Sequence, residues 1–181
     1  RHRLIYTREM DDPNYVANGP RRCYYCKTEL YSKLLPIAQV EGLRWIVNGA
    51  NCDDLGDYRP GMDAAKGHGV RSPLVEARLS KAEIRSLSQE MGLSTWDKPA
   101  MACLSSRFPY GVHIMVENLA RVEKAEVFLR SLGIKQVRVR HHDKMARIEV
   151  SPEELGTLLK EENRLKVVAE RGRLMQSACE K

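Results

Sequence analysis

Two prolines, Pro99 and Pro109, bracket the stretch Lys98-Pro-Ala-Met-Ala-Cys103-Leu-Ser-Ser-Arg107-Phe-Pro-Tyr-Gly111. Proline lacks the backbone N–H and drives its predecessor toward extended backbone, so neither a through-going helix nor a central strand crosses this stretch. The patterns on its two sides differ. Before it, short apolar runs, Gly/Asn/Asp loops and helical segments alternate, the signature of an α/β domain around a parallel sheet. After it, the order is helix, period-two hairpin, helix, a small α+β unit. The expected division is therefore 1–98 and 99–181, with too few strands before residue 98 to complete a sheet.

The stretch also carries chemistry. Cys103 sits among small residues, which allow close approach of a substrate. Arg107 lies four residues on, and a nearby guanidinium favours the thiolate, the form that attacks carbon or binds metal. The competing reading is a buried, inert cysteine.

In the first half, residues 1–22 are polar, with turn signals at Asp12-Pro13-Asn14 and Asn18-Gly19-Pro20. Arg3–Thr7 reads as a short strand or a loop. Arg21-Arg22-Cys23-Tyr-Tyr-Cys26-Lys27 holds a C-x-x-C pair among three cations. The chain has five cysteines, an odd number with no secretory pattern ahead of them, so a disulfide framework is disfavoured and the pair reads as metal, cluster or redox chemistry. No second C-x-x-C or H-x-x-x-H appears. A third ligand must come from elsewhere; Cys103 is the natural candidate, with Cys52 and Cys179 as competitors. Residues 27–41 read as a helix with Pro36 as a defect, and Trp45-Ile46-Val47 as a strand. That strand runs into Asn48-Gly49-Ala50-Asn51-Cys52-Asp53-Asp54, where an α/β fold places ligand groups. Asp53, Asp54 and Asp57 suit Mg²⁺ or ribose hydroxyls, or form a solvated acidic turn. A short helix is expected over 62–69 and an extended segment over Val70–Leu74. The box Ser80-Lys-Ala-Glu83 opens a helix with Ile84, Leu87 and Met91 on one face, closed by Gly92.

In the second half, Leu119, Val122, Ala125, Leu129 and Leu132 predict a helix over 117–132, stopped by Gly133. Gln136–Arg140 and Ala146–Val150 alternate with period two, so Val137 and Val139 face one way and Arg138 and Arg140 the other. His141–Lys144 is read as the turn between them. Two guanidiniums on one strand face make a compact anion site; the alternative is an edge strand blunted by charge. Ser151-Pro-Glu-Glu154 reads as a second capping box, opening a helix that runs to near Gly172.

Charge bears on partners. A net charge of +6 and a pI near 9.1 favour anionic ligands without choosing among phosphorylated small molecules, nucleotides and nucleic acid. No apolar run approaches the ~20 residues of a membrane span. The expectation is a cytoplasmic protein without membrane contact. The first residue is Arg, not Met, and a fragment or processed chain is expected.

Several motifs in fixed order resemble the LarE family of ATP-dependent sulfur transferases. They are the Asp57–Gly61 loop, Arg71-Ser-Pro-Leu-Val-Glu76, Ser80-Lys-Ala-Glu-Ile-Arg85, Trp96-Asp-Lys-Pro99, Ala102-Cys-Leu-Ser-Ser-Arg107, Pro109-Tyr-Gly111, Arg138-Val-Arg140-His-His142 and Ala146-Arg-Ile-Glu-Val150. The resemblance implies an incomplete PP-loop (adenine nucleotide α-hydrolase-like) ATP-pyrophosphatase domain followed by the small C-terminal domain. It implies ATP and Mg²⁺ as cofactors. ATP adenylylates a carboxylate of pyridinium-3,5-biscarboxylic acid mononucleotide, and sulfur then displaces AMP to leave a thiocarboxylate, in nickel-pincer nucleotide biosynthesis for lactate racemase. It assigns Cys103 to sulfur delivery, with Arg107 beside the reacting sulfur. Arg138, Arg140 and Glu126 surround the substrate phosphate, and Gly49, Asn51, Asp53 and Asp54 lie near AMP. Cys23, Cys26 and Cys103 place the chain with the three-cysteine members, in which three thiolates hold a [4Fe-4S] cluster. In single-cysteine members the cysteine itself is sacrificed. A homo-oligomer is also implied.

The family's phosphate loop, Ser-Gly-Gly-Val-Asp-Ser, is absent and is expected upstream of residue 1, so this chain alone is expected to be inactive. Cys52 and Cys179 are read as structural thiols. Two alternatives compete: a PP-loop tRNA thiolase, permitted by the charge and Tyr24-Tyr25, and a non-catalytic metal-binding fragment. No aromatic-interleaved basic stripe supports nucleic-acid binding.

Overall fold

A computed structural model of the protein describes residues 2–142 and 145–176. It separates into two compact units, Arg1–Ala100 and Met101–Lys181. Among the described residues the class is α/β: eight α-helices and one two-stranded antiparallel sheet.

The first unit is helical. Asp12 caps the short α1, Pro13–Val16, by accepting from the Asn14 N–H. The long α2, Arg22–Val40, carries Pro36 without breaking, because Tyr31 and Ala38 are buried before and after it and anchor both halves. It also starts five residues earlier than apolar spacing indicates, so both cysteines of the C-x-x-C pair lie within it. Helix α3, Pro60–Gly67, opens on a proline at its first position, where no N–H is needed. Tyr31, Ala64, Ala65 and Val70 form the core, with Tyr24, Leu30, Leu34 and Ile46 against it.

Two expectations for this unit need correction. The strand at Trp45–Val47 is reduced to one parallel bridge, Val47 to Arg71, with Trp45 and Val47 exposed. Among the described residues no further strand pairs with either bridged segment. The extended segment from Val70 ends after Arg71, since Pro73 opens the short helix α4, Pro73–Glu76. Arg3–Thr7, read as a short strand or a loop, is the loop. The box at Ser80 forms as expected: its hydroxyl accepts from the Glu83 N–H, and the Glu83 carboxylate accepts from the Ser80 N–H at 2.8 Å. It opens α5, Lys81–Glu90; Leu87 and the C-cap residue Met91 are exposed while Ile84 is half-buried.

In the second unit, α6, Val116–Ser131, buries Val122, Glu126 and Leu129 and packs on the hairpin. Gly133 follows it at φ +90°, a left-handed turn that releases the chain toward the sheet. Strand β1, Val137–His142, pairs antiparallel with β2, Met145–Val150. His141 and His142 belong to β1, opposite Ala146 and Met145, and are not turn residues. Val137 and Val139 are buried with Phe108, Ile114 and Ile134, as the alternation requires.

The C-terminal helix is two helices, α7, Pro152–Leu159, and α8, Glu161–Gln176, broken at Lys160 where ψ swings to 134°. The second capping box does not form. Ser151 makes no cap bond to a helix N–H; its hydroxyl donates to the Glu154 carboxylate at 3.4 Å, and that carboxylate also accepts from the backbone N–H groups of Lys135 and Gln136. Asp143, Lys144 and Cys179 lie outside the described residues.

Candidate functional site

In the second unit, Cys103 stands exposed just before a 3-10 turn, Leu104–Arg107. Three donors converge on its carbonyl: the Ser106 N–H at 3.0 Å, the Ser106 hydroxyl at 2.7 Å and Arg107 Nη1 at 3.1 Å. The backbone is pinned while the thiol side chain faces outward.

Arg107 is buried and engages every nitrogen of its guanidinium. Nη1 also donates to the Ala102 carbonyl at 2.9 Å and the Ser106 hydroxyl at 3.0 Å. Nε and Nη2 form a two-pronged pair with Glu126 at 2.7 and 3.1 Å. The planar fork suits this task, and lysine would satisfy only part of it.

Glu126 joins the elements. Besides Arg107, its carboxylate accepts from Arg130 Nη2 at 2.8 Å and from the Val139 N–H at 3.1 Å. Burial opposes its ionisation, but the hydrogen bond from Arg107, the Val139 N–H, the charge of Arg107 and the hydrogen bond from Arg130 outweigh it, and its pKa is lowered. One carboxylate on α6 thus ties the cysteine turn to strand β1.

Strand β1 presents Arg138 and Arg140 differently. Arg140 is half-buried, donates to Glu149 Oε2 at 2.9 Å and, through Nη1, to the Ser106 carbonyl at 3.0 Å. Glu149 also pairs with Arg147 at 2.8 Å. Burial opposes its ionisation, while Arg140 first and Arg147 second outweigh it and lower its pKa. Arg138 is exposed, and among the described residues no hydrogen bond or ion pair holds its guanidinium.

Sequence reasoning missed Ser106, Arg130 and Glu149. Arg130 is legible as the i+4 partner of Glu126 on a helix. Glu149 is legible as the residue opposite Arg138 once the hairpin register is known. Ser106 has no sequence signal beyond its place beside Arg107.

In the first unit, Cys23 is exposed and Cys26 half-buried in the opening turns of α2. Of the three flanking cations, Arg22 turns into the interior and donates to Asn18 Oδ1, Arg21 lies 4.6 Å from the centre of the Tyr24 ring, and Lys27 is exposed. Gly61 on α3 passes close: a Cβ there would stand 3.6 Å from the Cys23 carbonyl and 3.2 Å from Lys27 Cγ. Within either unit, no three His, Cys, Asp or Glu among the described residues gather as a metal centre.

The loop expected near a nucleotide uses its polar groups on itself. The Asn51 side chain accepts from the Asp53 N–H, and the Asp54 carboxylate accepts from the Asn51 N–H, both at 3.0 Å. Asp54 also pairs with Arg59 at 2.9 Å, and Asp53 accepts from the Lys81 N–H at the start of α5 at 3.0 Å. Asn48 Oδ1 accepts from the Ser72 hydroxyl at 2.9 Å, joining the loops that follow the two bridged segments. Gly49 is exposed, with open space where a Cβ would stand.

No family profile matches the chain. It is 55% identical over 154 residues to an uncharacterized protein of Synechocystis, covering 85% of this chain and 58% of that protein. It is 43% identical over 150 residues to the pyridinium-3,5-bisthiocarboxylic acid mononucleotide synthase of Lactiplantibacillus plantarum, covering 83% of this chain and 54% of the synthase. An uncharacterized protein of Methanocaldococcus jannaschii is 29% identical over 150 residues, 83% of this chain and 58% of that protein. The chain thus spans a little over half the length of the curated relatives it matches. Over the aligned region its identity to the synthase, a LarE-type protein, carries the resemblance seen in the motifs, and the chain belongs to the LarE family.

Proposed function

We propose that this chain is the sulfur-transfer portion of an ATP-dependent sulfur transferase that converts carboxylates of pyridinium-3,5-biscarboxylic acid mononucleotide to thiocarboxylates. The observation that carries this reading is the joint formed by Glu126, which links the Cys103 turn through Arg107 to the strand bearing Arg138 and Arg140. A sulfur donor and a phosphate-binding strand are held in fixed relation by one buried carboxylate. In this reading Arg107 and Glu126 are positioning residues, since both are spent on protein partners. Arg138 takes the substrate phosphate, and Arg140 assists while holding the Ser106 carbonyl.

The reaction needs an activated carboxylate, because hydroxide is a poor leaving group and AMP a good one. ATP with Mg²⁺ supplies the adenylyl group. Gly49, Asn51, Asp53 and Asp54 are assigned to the AMP side. The self-capped loop fits that role as a rigid wall, with Gly49 leaving space for close approach. A PP-loop domain is part of the proposal. The feature that supports it is the parallel bridge between Val47 and Arg71, since the expected domain is built on a parallel sheet.

The sulfur leaves from Cys103 itself or from a [4Fe-4S] cluster held by Cys23, Cys26 and Cys103. The donor chemistry fits in part: two thiols lie one turn apart on α2 and the third is an exposed thiol on a pinned turn. When bound, a three-thiolate cluster supplies one open iron site able to carry sulfide. The chain's own contribution is the Cys103 backbone held by Arg107 and Ser106 with its side chain accessible. A cytoplasmic homo-oligomer belongs to the same proposal.

The test is iron and acid-labile sulfide per chain, in protein extended to the full length of its relatives and handled without oxygen, for wild type, Cys23→Ala and Cys103→Ala. About four irons, lost in both variants, support the cluster. No iron, with a loss of ~34 Da at Cys103 after turnover, identifies a sacrificial cysteine. Salt-dependent tRNA binding without thiocarboxylate product overturns the proposal in favour of a tRNA thiolase. Zinc in place of iron, again without product, favours a metal-binding module.

A further inference from the structure

We infer that Arg147 determines specificity: with Arg138 and Arg140 it completes a three-guanidinium face that selects a phosphate monoester over a phosphate diester. The use of that face for a pyridinium mononucleotide rests on the function proposed above; the preference for a monoester does not.

The register puts the three arginines together. Arg138 stands opposite Glu149 across the hairpin, Arg140 opposite Arg147 and His142 opposite Met145. Side chains alternate along a strand and directly opposed residues share a face, so these six lie on one side of the sheet. Val137 and Val139 turn to the other side and are buried there. Arg147 therefore faces Arg140 directly and Arg138 diagonally, both within reach of side chains this long.

Like charges placed directly opposite one another on a hairpin are destabilising. One carboxylate offsets the Arg140–Arg147 pair. Glu149 Oε2 meets Arg140 Nε at 2.9 Å and its Oε1 meets Arg147 Nη2 at 2.8 Å, so both oxygens are engaged. Among the described residues of this face, Glu149 is the one acid. Three cations against one anion leave an excess of two positive charges. A phosphate monoester carries about two negative charges at neutral pH, and a diester, as in a nucleic-acid backbone, carries one.

Arg147 is also placed to meet a ligand from outside. Its side chain is 60% exposed, against 29% for Arg140. Among the described residues only its Nη2 is engaged, so Glu149 holds the guanidinium at the hairpin without covering it. Arg138 is exposed on the same face, and Arg140 is tied to the Ser106 carbonyl. A monoester presents three terminal oxygens and a diester two. Arg138 and Arg140 meet the two that both ligands share, and Arg147 takes the third, where guanidinium geometry suits a phosphate oxygen.

The test is calorimetric titration of the protein, extended to the full length of its relatives, with ribose 5-phosphate and with the methyl diester of the same sugar phosphate. Wild type is compared with Arg147→Gln and with Arg164→Gln, which removes the same charge from α8. Wild type should prefer the monoester. Arg147→Gln should weaken the monoester about five-fold and leave the diester nearly unchanged, so the preference shrinks by that factor. Arg164→Gln should leave the preference as in wild type. The inference is overturned if Arg147→Gln weakens both ligands alike, if Arg164→Gln matches it, or if wild type shows no preference or binds neither ligand. A parallel titration uses the pyridinium mononucleotide. If wild type shows the monoester preference, lost in Arg147→Gln, yet does not bind the mononucleotide, the substrate reading fails and the three-arginine site stands.

Discussion

Arg107 Nε donates to Glu126 Oε1 at 2.7 Å, and the two side chains are only 5% and 1% exposed. A pair this deep is costly to break from one side, because the survivor is left charged and buried. Loss of one partner typically costs about 3–5 kcal/mol. Glu126→Gln keeps one acceptor and should fall at the low end, and Glu126→Ala at the high end, both read as a lowered urea midpoint. The double replacement Arg107→Met, Glu126→Leu should cost clearly less than the sum of its single changes. Additive losses would mean that the two residues act independently.

The same carboxylate makes stability depend on acidity. Glu126 and Glu149 both have lowered pKa values in the folded chain. A depressed carboxylate contributes stability that is fully present above its unfolded pKa and lost as pH falls through the folded value. Below about pH 4.5 the unfolded state binds more protons than the folded one, so the unfolding free energy should fall with pH. Urea denaturation from pH 7 to pH 3 checks this. Glu149→Gln should flatten the slope without removing the buried pair, and a slope unchanged by that substitution would assign the whole effect to other groups.

Gly133 offers a test of local backbone. Its φ is +90°, and no atom lies within 4 Å of where a Cβ would be built. Gly133→Ala therefore adds no clash, and its cost is the left-handed conformation alone, about 1–2 kcal/mol. Thermal unfolding measures it. A larger loss would show that the link between α6 and β1 tolerates no shift at all.

The hairpin alternation, the Gly133 stop and the box at Ser80 were legible because each is a local rule. Val137 and Val139 face inward because strand side chains alternate, whatever surrounds them. The Ser80 hydroxyl finds the Glu83 N–H because three residues of helix bring it there. The failures are tertiary. Ser151-Pro-Glu-Glu154 has the same spelling as a capping box, but Glu154 finds two backbone N–H groups at Lys135 and Gln136, and that alternative is invisible in a four-residue window. Trp45–Val47 has strand composition, but among the described residues its one bridge partner is Arg71. Residue type and spacing singled out Cys103 and the two strand arginines as candidates. The use of Arg107 as a clamp on backbone carbonyls was not legible, since sequence shows a cation near a cysteine and not which atoms it meets.

Arg138 and Arg140 share a strand face, yet their surroundings predict different outcomes on replacement. Arg140 holds Glu149 and the Ser106 carbonyl, so it joins β1 to the cysteine turn. Arg138 is exposed, and none of the described residues holds its guanidinium. Arg138→Ala should leave stability within about 0.5 kcal/mol of wild type, as surface changes do. If Arg138 meets the substrate phosphate, the same change removes a charge-assisted contact and weakens binding of the pyridinium mononucleotide about ten-fold or more. Arg140→Ala should lose stability and binding together, and Arg140→Lys should recover little of either, because an ammonium cannot reach both partners of the guanidinium fork. Calorimetric titration of the full-length protein with substrate, beside urea denaturation of each variant, separates the two roles. Unchanged affinity in Arg138→Ala would move the phosphate site off this strand, leaving its arginines as a charged edge that resists pairing with other chains.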